Sequence, residues 1–212
     1  HQREMMIRKG PQLLEGARAV VMEKFDAALA VDLIERHRIT LCIMVPTMLQ
    51  RIVRLPGLTA ERFASIERII IGGAKTPEWV IDRLLELVRP EALMFVYGST
   101  ERLGVVTMTG ADWADHRGAA GLPQDVELSI RDADGNPVPP GEVGEIHMRP
   151  LDPGRRQFRY LGAPTPAPTH DGFRTIGDLG WLDEQGYLFI ADRRTDLIIT
   201  GGANVFPAEV EA

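Results

Sequence analysis

The chain has 212 residues, 44% hydrophobic and 25% charged, which is the composition of one large soluble domain or two small ones. A formal charge of −6 and a pI of about 5.4 leave no basic footprint for nucleic acid or an anionic membrane. One cysteine, Cys42, excludes an internal disulfide and fits a reducing, cytoplasmic setting, and no apolar stretch nears the roughly 20 residues of a membrane span.

The opening HQREMMIRKG has no clean periodicity, and no secretory leader is expected there. ARAVVME (17–23) predicts a buried strand. Asp26 is placed to cap a helix over AALAVDLIERH, with Ala30, Leu33, Ile34 and His37 on one face. TLCIMV (40–45) predicts a strand closed by Pro46, and Met48, Leu49, Ile52 and Val53 mark the next helix. ERIIIGG (67–73) is a third strand, PEWVIDRLLELV (77–88) a helix with Pro77 in its first turn, and ALMFVYG (92–98) a fourth strand. This alternation implies an α/β layer, a mostly parallel sheet with flanking helices.

After about residue 118 the grammar changes. Short strands at VELSIRD (126–132), GEVGEIHMR (141–149) and YLFIAD (187–192) are separated by the turn signals DADGNP, PPG and DEQG. These predict a small antiparallel, barrel-like β-rich subdomain. Residues 152–172, with the run APTPAPT, read as a surface loop. DLIITGGANVFPAEVEA reads as a strand, a Gly-Gly turn and a new helix. The expected division is an α/β subdomain over 1–117, a β-rich subdomain over 118–191, and a hinge with the start of a further domain over 192–212. His1 and the closing EVEA are expected to be cuts through something longer.

Two predicted strands end suggestively, because ligands of open parallel sheets sit beyond the carboxyl ends of the strands. One ends in Gly72-Gly73-Ala74, where missing side chains admit a flat ligand. The other ends in Tyr97-Gly98-Ser99-Thr100-Glu101. Tyrosine offers a stacking face, Thr100 a hydroxyl for phosphate, and Glu101 a hard oxygen for Mg²⁺. The competing reading is a polar strand-to-loop turn with Tyr97 as core. Asp178, in Gly177-Asp178-Leu179-Gly180, can accept both hydroxyls of a ribose or can simply sit in a tight turn. Arg193, in Asp192-Arg193-Arg194-Thr195-Asp196, can meet a phosphate or ribose, or belong to a solvated charge run. His37, His116, His147 and His170 are too scattered for a metal site. Cys42, Trp79, Trp113 and Trp181 read as packing residues.

GGAK, YGSTE, PGEVGEI, GDLGWLDEQGYLFIADRRTDLII and TGGANVFPAEVE occur in this order. Together they resemble the core motifs of the adenylate-forming superfamily: acyl-CoA synthetases, peptide-synthetase adenylation domains and beetle luciferases. The likeness runs from about residue 17 to the end. TGGANVFPAEVE looks more like acyl-CoA synthetases than peptide-synthetase domains, and FDAALAVDLIERHRITLCIMVPTMLQRIVRLPG looks like the fatty-acyl, aryl and bile-acid CoA ligase branch. The resemblance implies a partial adenylate-forming large domain working on MgATP, a small carboxylate and CoA. The carboxylate attacks the α-phosphate to give an acyl-adenylate, and a thiol then takes the acyl group. It further implies that Gly72, Gly73 and Ala74 border the adenine and acyl pocket, and that Tyr97 and Gly98 pack on the adenine. Thr100 would contact phosphate, Glu101 hold Mg²⁺, Asp178 bind the ribose, and Arg193 meet ribose or phosphate. The hinge would fall at Thr195 and Asp196. One anion approaches another in the first step, so neutralising charge is the main catalytic task.

Two of the family's features have no counterpart. No Ser/Thr/Gly-rich phosphate loop occurs, and no lysine follows Lys75 to match the family's adenylation lysine. The expectation is a piece of a longer ligase that adenylates poorly or not at all alone; normal ATP–pyrophosphate exchange by this chain would overturn it. Ile176, Asp192 and Thr195 also depart from the usual residues. Two other classes stay open: a non-catalytic nucleotide-binding remnant, and an adenylation domain loading a carrier protein. No nucleic-acid partner is expected, a homodimer is allowed, and the acid itself is not readable.

Overall fold

A computed structural model describes residues 16, 18–152, 154, 161, 165, 167–193, 198–200 and 203–205. The chain divides into two compact units, residues 1–94 and 95–212.

In the first unit, α1 (Ala27–His37) begins where Asp26 adopts an extended backbone and its carboxylate accepts the Leu29 N–H at 2.8 Å. That cap satisfies one of the orphan donors of the first turn, worth about 1 kcal/mol. The helix ends because Arg38 turns left-handed, at φ 50°. Ala27, Ala30, Val31 and Ile34 are its buried face. β1 (Leu41–Met44) lies parallel to β2 (Arg68–Gly72), in the register Leu41↔Arg68 to Met44↔Ile71. Between them, α2 (Pro46–Val53) starts on Pro46, whose missing N–H is no loss at a first helical position. It buries Met48, Leu49, Ile52 and Val53. α3 (Glu78–Leu85) follows β2 and buries Val80, Ile81 and Leu84. Pro77 stands just outside it as the cap residue.

β3 (Leu93–Gly98) carries the division between the units. In the second unit, β4 (Val105–Thr109) pairs antiparallel with the short β5 (Leu122–Pro123). β6 (Val126–Arg131), β7 (Gly144–Pro150), β8 (Arg174–Leu182) and β9 (Leu188–Arg193) form an antiparallel meander. β10 (Ile198–Thr200) and β11 (Ala203–Val205) make a separate hairpin. The predicted turn signals act as read. Asp132 accepts the N–H groups of Asp134 and Asn136, and Asp183 those of Gln185 and Tyr187, while Gly135, Gly141 and Gly186 supply positive φ. Leu103, Val106, Val126, Ile130, Ile146, Met148 and Leu188 form this unit's core.

Three expectations fail. Residues 18–23 form no strand, and Val21 is 63% exposed; apolar composition alone does not make a ladder. Trp79 is not a packing residue: it is 43% exposed and lies under the Arg54 guanidinium, 5.0 Å from the ring centre. Gly177-Asp178-Leu179-Gly180 is no tight turn but the middle of β8. The helix expected after residue 205 lies outside the described residues.

Candidate nucleotide site

The site is built on the ends of β3 and β8. Along β3 the side chains alternate, so Leu93, Phe95 and Tyr97 share a face. Leu93 and Phe95 are buried, and Phe95 stacks on Trp113 with centroids 5.6 Å apart. Tyr97, next on that face, packs its ring against the second unit's core. Its hydroxyl donates to Asp178 Oδ2 at 2.6 Å. The ring of Tyr97 thus lies against the core, and its oxygen is bonded to a carboxylate.

Asp178 is only 6% exposed. A carboxylate that far from water requires hydrogen-bond donors, and the Tyr97 O–H is one. On β8 its neighbours are irregular. Gly177 has φ 87°, and the ladder between β8 and β9 shifts register between Leu179 and Gly180. Gly180 lies so close to β9 that a Cβ there would stand 2.2 Å from the Phe189 carbonyl oxygen. Arg193 is the register partner of Asp178 across β9.

After Gly98 the chain turns sharply into β4. The Arg102 N–H bonds the Ser99 carbonyl at 3.1 Å, and Arg102 itself sits left-handed at φ 57°. A non-glycine residue there costs about 1–2 kcal/mol, and such strain gathers at functional sites. The turn is narrow: a Cβ on Gly98 would meet the Gly104 carbonyl oxygen at 3.2 Å, and one on Gly104 would run into Val126. Buried Leu103 anchors it from below. Thr100 is exposed and Glu101 half-buried, and the Thr100 hydroxyl donates to Glu101 Oε2 at 3.3 Å. Tyr97, Gly98, Thr100, Glu101, Asp178 and the Arg193 backbone thus all belong to the second unit.

Gly72, Gly73 and Ala74 end β2 in the first unit. Gly73 has φ 94°, and Gly73 and Ala74 are exposed. Thr195 and Asp196 lie outside the described residues. Among the described residues no group of three or more His, Cys, Asp or Glu is arranged to hold a metal.

Sequence reading missed the clamp at the start of β8. Arg131, 4% exposed, donates to Asp171 Oδ2 at 2.6 Å and to Ser129. Thr169 donates to the other Asp171 oxygen at 2.6 Å. Arg149 donates to the Asp171 carbonyl at 2.9 Å, and the Arg131 and Arg149 guanidinium groups both lie over the Phe173 ring. The Arg131 guanidinium and then the Thr169 hydroxyl hold the Asp171 carboxyl well below the usual carboxylate range. The clamp stands just ahead of β8, which begins at Arg174, four residues before Asp178. Nothing in the sequence signals it: Val126, Leu128 and Ile130 alternate with Glu127, Ser129 and Arg131, so Arg131 falls on the polar face of β6 and looks ordinary there.

Residues 10–151 match the profile of a family described as AMP-binding enzyme. The chain belongs to that family. It is 36% identical over 206 residues to a feruloyl-CoA synthase of Amycolatopsis sp, a match covering 95% of the chain and 41% of the relative. It is 35% identical to an indoleacetate–CoA ligase of Aromatoleum aromaticum, covering 95% of the chain and 39% of the relative. Among solved structures, o-succinylbenzoate coenzyme A synthetase of Bacillus subtilis in complex with ATP and magnesium ion superposes with a TM-score of 0.75 at 32% identity, over 94% of this chain and 41% of that one. The chain therefore spans about two fifths of the length of the curated relatives it matches. Among the described residues no helix is long and apolar enough to cross a membrane.

Proposed function

We propose that this chain is the nucleotide-handling part of an ATP-dependent carboxylate–CoA ligase. The parent protein forms an acyl-adenylate and pyrophosphate, then passes the acyl group to CoA and releases AMP. The observation that carries this reading is the buried Asp178 carboxylate meeting the Tyr97 hydroxyl, with Thr100 and Glu101 a few residues beyond on the same strand end.

Each residue then has a task. Asp178 accepts the ribose hydroxyls, and Arg193, opposite it in register, meets the ribose or a phosphate. Tyr97 and Gly98 border the adenine, and Gly72, Gly73 and Ala74 border adenine and acyl group. Thr100 donates to a phosphate oxygen, while Glu101 supplies an oxygen to Mg²⁺. Mg²⁺, when bound, neutralises charge on the phosphoryl oxygens. Thr195 and Asp196 are the proposed hinge. The cytoplasmic setting and the CoA acceptor belong to the same proposal. Relatives named for feruloyl, indoleacetate and succinylbenzoate substrates make aromatic carboxylic acids the first to try.

Calorimetric titration of the chain with AMP tests the reading. The expected result is saturable binding weakened at least about tenfold in D178A, since a lost charged hydrogen bond costs that much or more. Equal affinity of the two proteins refutes it. A carboxylate panel with the parent protein, scored by AMP release, tests the acid and the acceptor.

A further inference from the structure

We infer that the Tyr97 hydroxyl is a positioning group that aims the Asp178 carboxylate at the sugar, so that discrimination for a ribose diol depends on an atom that never touches it. The inference rests on the proposed role of Asp178 as ribose acceptor and goes beyond the adenine-packing role of the Tyr97 ring.

The backbone around Asp178 does not fix the carboxylate by itself. Gly177 at φ 87° precedes it, and the register shift between Leu179 and Gly180 follows it. A carboxylate on so irregular a stretch has a choice of rotamers unless something holds it. Tyr97 comes from a different strand, 81 residues away in sequence, and is the opposite case. Phe95, two residues earlier on the same face, is stacked on Trp113, and the Tyr97 ring is set in the core. A tyrosine with its ring fixed has one remaining freedom, the hydroxyl rotor, and here that proton points to Asp178 Oδ2. The Tyr97 hydroxyl therefore fixes the direction of one carboxylate oxygen, alongside the other groups that meet Asp178. The bond is charge-assisted and part-buried, where such bonds gain strength over those in water. An ionised carboxylate can accept several donors, so a diol and the Tyr97 hydroxyl can share it.

Y97F deletes the proton and keeps the ring, so core packing and any stacking on the base survive. The measurement is the ratio of affinities for AMP and 2′,3′-dideoxy-AMP, by calorimetry, in wild type, Y97F, D178N and the double variant. Wild type is expected to prefer AMP. Y97F is expected to lower that preference about tenfold. In the D178N background, adding Y97F is expected to leave the ratio where it was. A Y97F variant that weakens both nucleotides equally, or retains the full preference, overturns the positioning role. A wild-type protein without any preference for AMP overturns the ribose role of Asp178, and this inference with it. Unchanged melting of Y97F confirms that the ratio reports aim rather than damage to the fold.

Discussion

The two glycines flanking Asp178 are there for different reasons, and substitution separates them. At Gly180 a Cβ would stand 2.2 Å from the Phe189 carbonyl oxygen and 3.0 Å from Ile146 Cδ1. A comfortable carbon–oxygen approach is about 3.3–3.6 Å, so β8 and β9 must part by roughly 1 Å. That is a large fraction of a strand spacing of about 4.8 Å, and the obstacle is backbone, which cannot rotate aside. Overpacking of this kind costs about 1–3 kcal/mol, or about 2–4 °C of melting temperature per kcal/mol in a chain of this size. At Gly177 nothing lies within 4 Å, but φ is 87°. Alanine there costs about 1–2 kcal/mol of backbone strain, and asparagine, which tolerates left-handed backbone, recovers most of it. Urea denaturation of G177A, G177N, G180A and G180N is the assay. The expected order has G177N near wild type and both variants at 180 clearly destabilised, with AMP affinity reduced because Asp178 is drawn from the Tyr97 hydroxyl. If G180A unfolds at the wild-type urea concentration, or G180N is tolerated as well as G177N, the close approach of β8 to β9 is not what demands glycine.

The Asp171 clamp predicts a pH signature. Its folded carboxyl titrates below its unfolded value of about 3.9, so its contribution is complete above that pH and is lost as pH falls through the lower folded value. Chemical denaturation should find wild type more stable than D171N by a constant margin above about pH 5, narrowing steadily below about pH 4; a pH-independent margin rejects the clamp as a charged pair. For Glu101, E101Q should leave AMP binding unchanged and remove the gain in ATP affinity that Mg²⁺ confers, as followed by titration with and without the metal. An undiminished Mg²⁺ effect would move the metal ligand elsewhere.

What could be read from the sequence was local. Asp26 before a helical pattern, Pro46 at a helix start, and the aspartate–glycine turns around 132–135 and 183–186 each carry their geometry in a few adjacent residues. The polar end of β3 is likewise a local turn, closed by the Arg102 N–H on the Ser99 carbonyl. What failed needed a partner. Residues 18–23 looked like a strand, yet strand formation depends on a neighbour that composition does not name. Gly177 and Gly180 looked like turn residues, whereas one serves positive φ and the other a close passage of two backbones. The Tyr97–Asp178 bond joins residues 81 apart, and Arg131–Asp171 residues 40 apart. Both are charge-assisted pairs whose members look unremarkable singly.

The aromatic stacks beside the site also make it optically legible. Trp113 lies against Phe95, two residues before Tyr97, and Trp181 lies against Phe189 at 5.0 Å, three residues after Asp178. Two native fluorophores therefore lie close to the proposed ligand pair along the chain, buried Trp113 in the turn after β4 and half-buried Trp181 on β8, while the third, Trp79, is 43% exposed and more open to an aqueous quencher. Emission that survives iodide reads out the neighbourhood of Tyr97 and Asp178 without any label, so nucleotide docking can be timed by stopped flow in the unmodified protein.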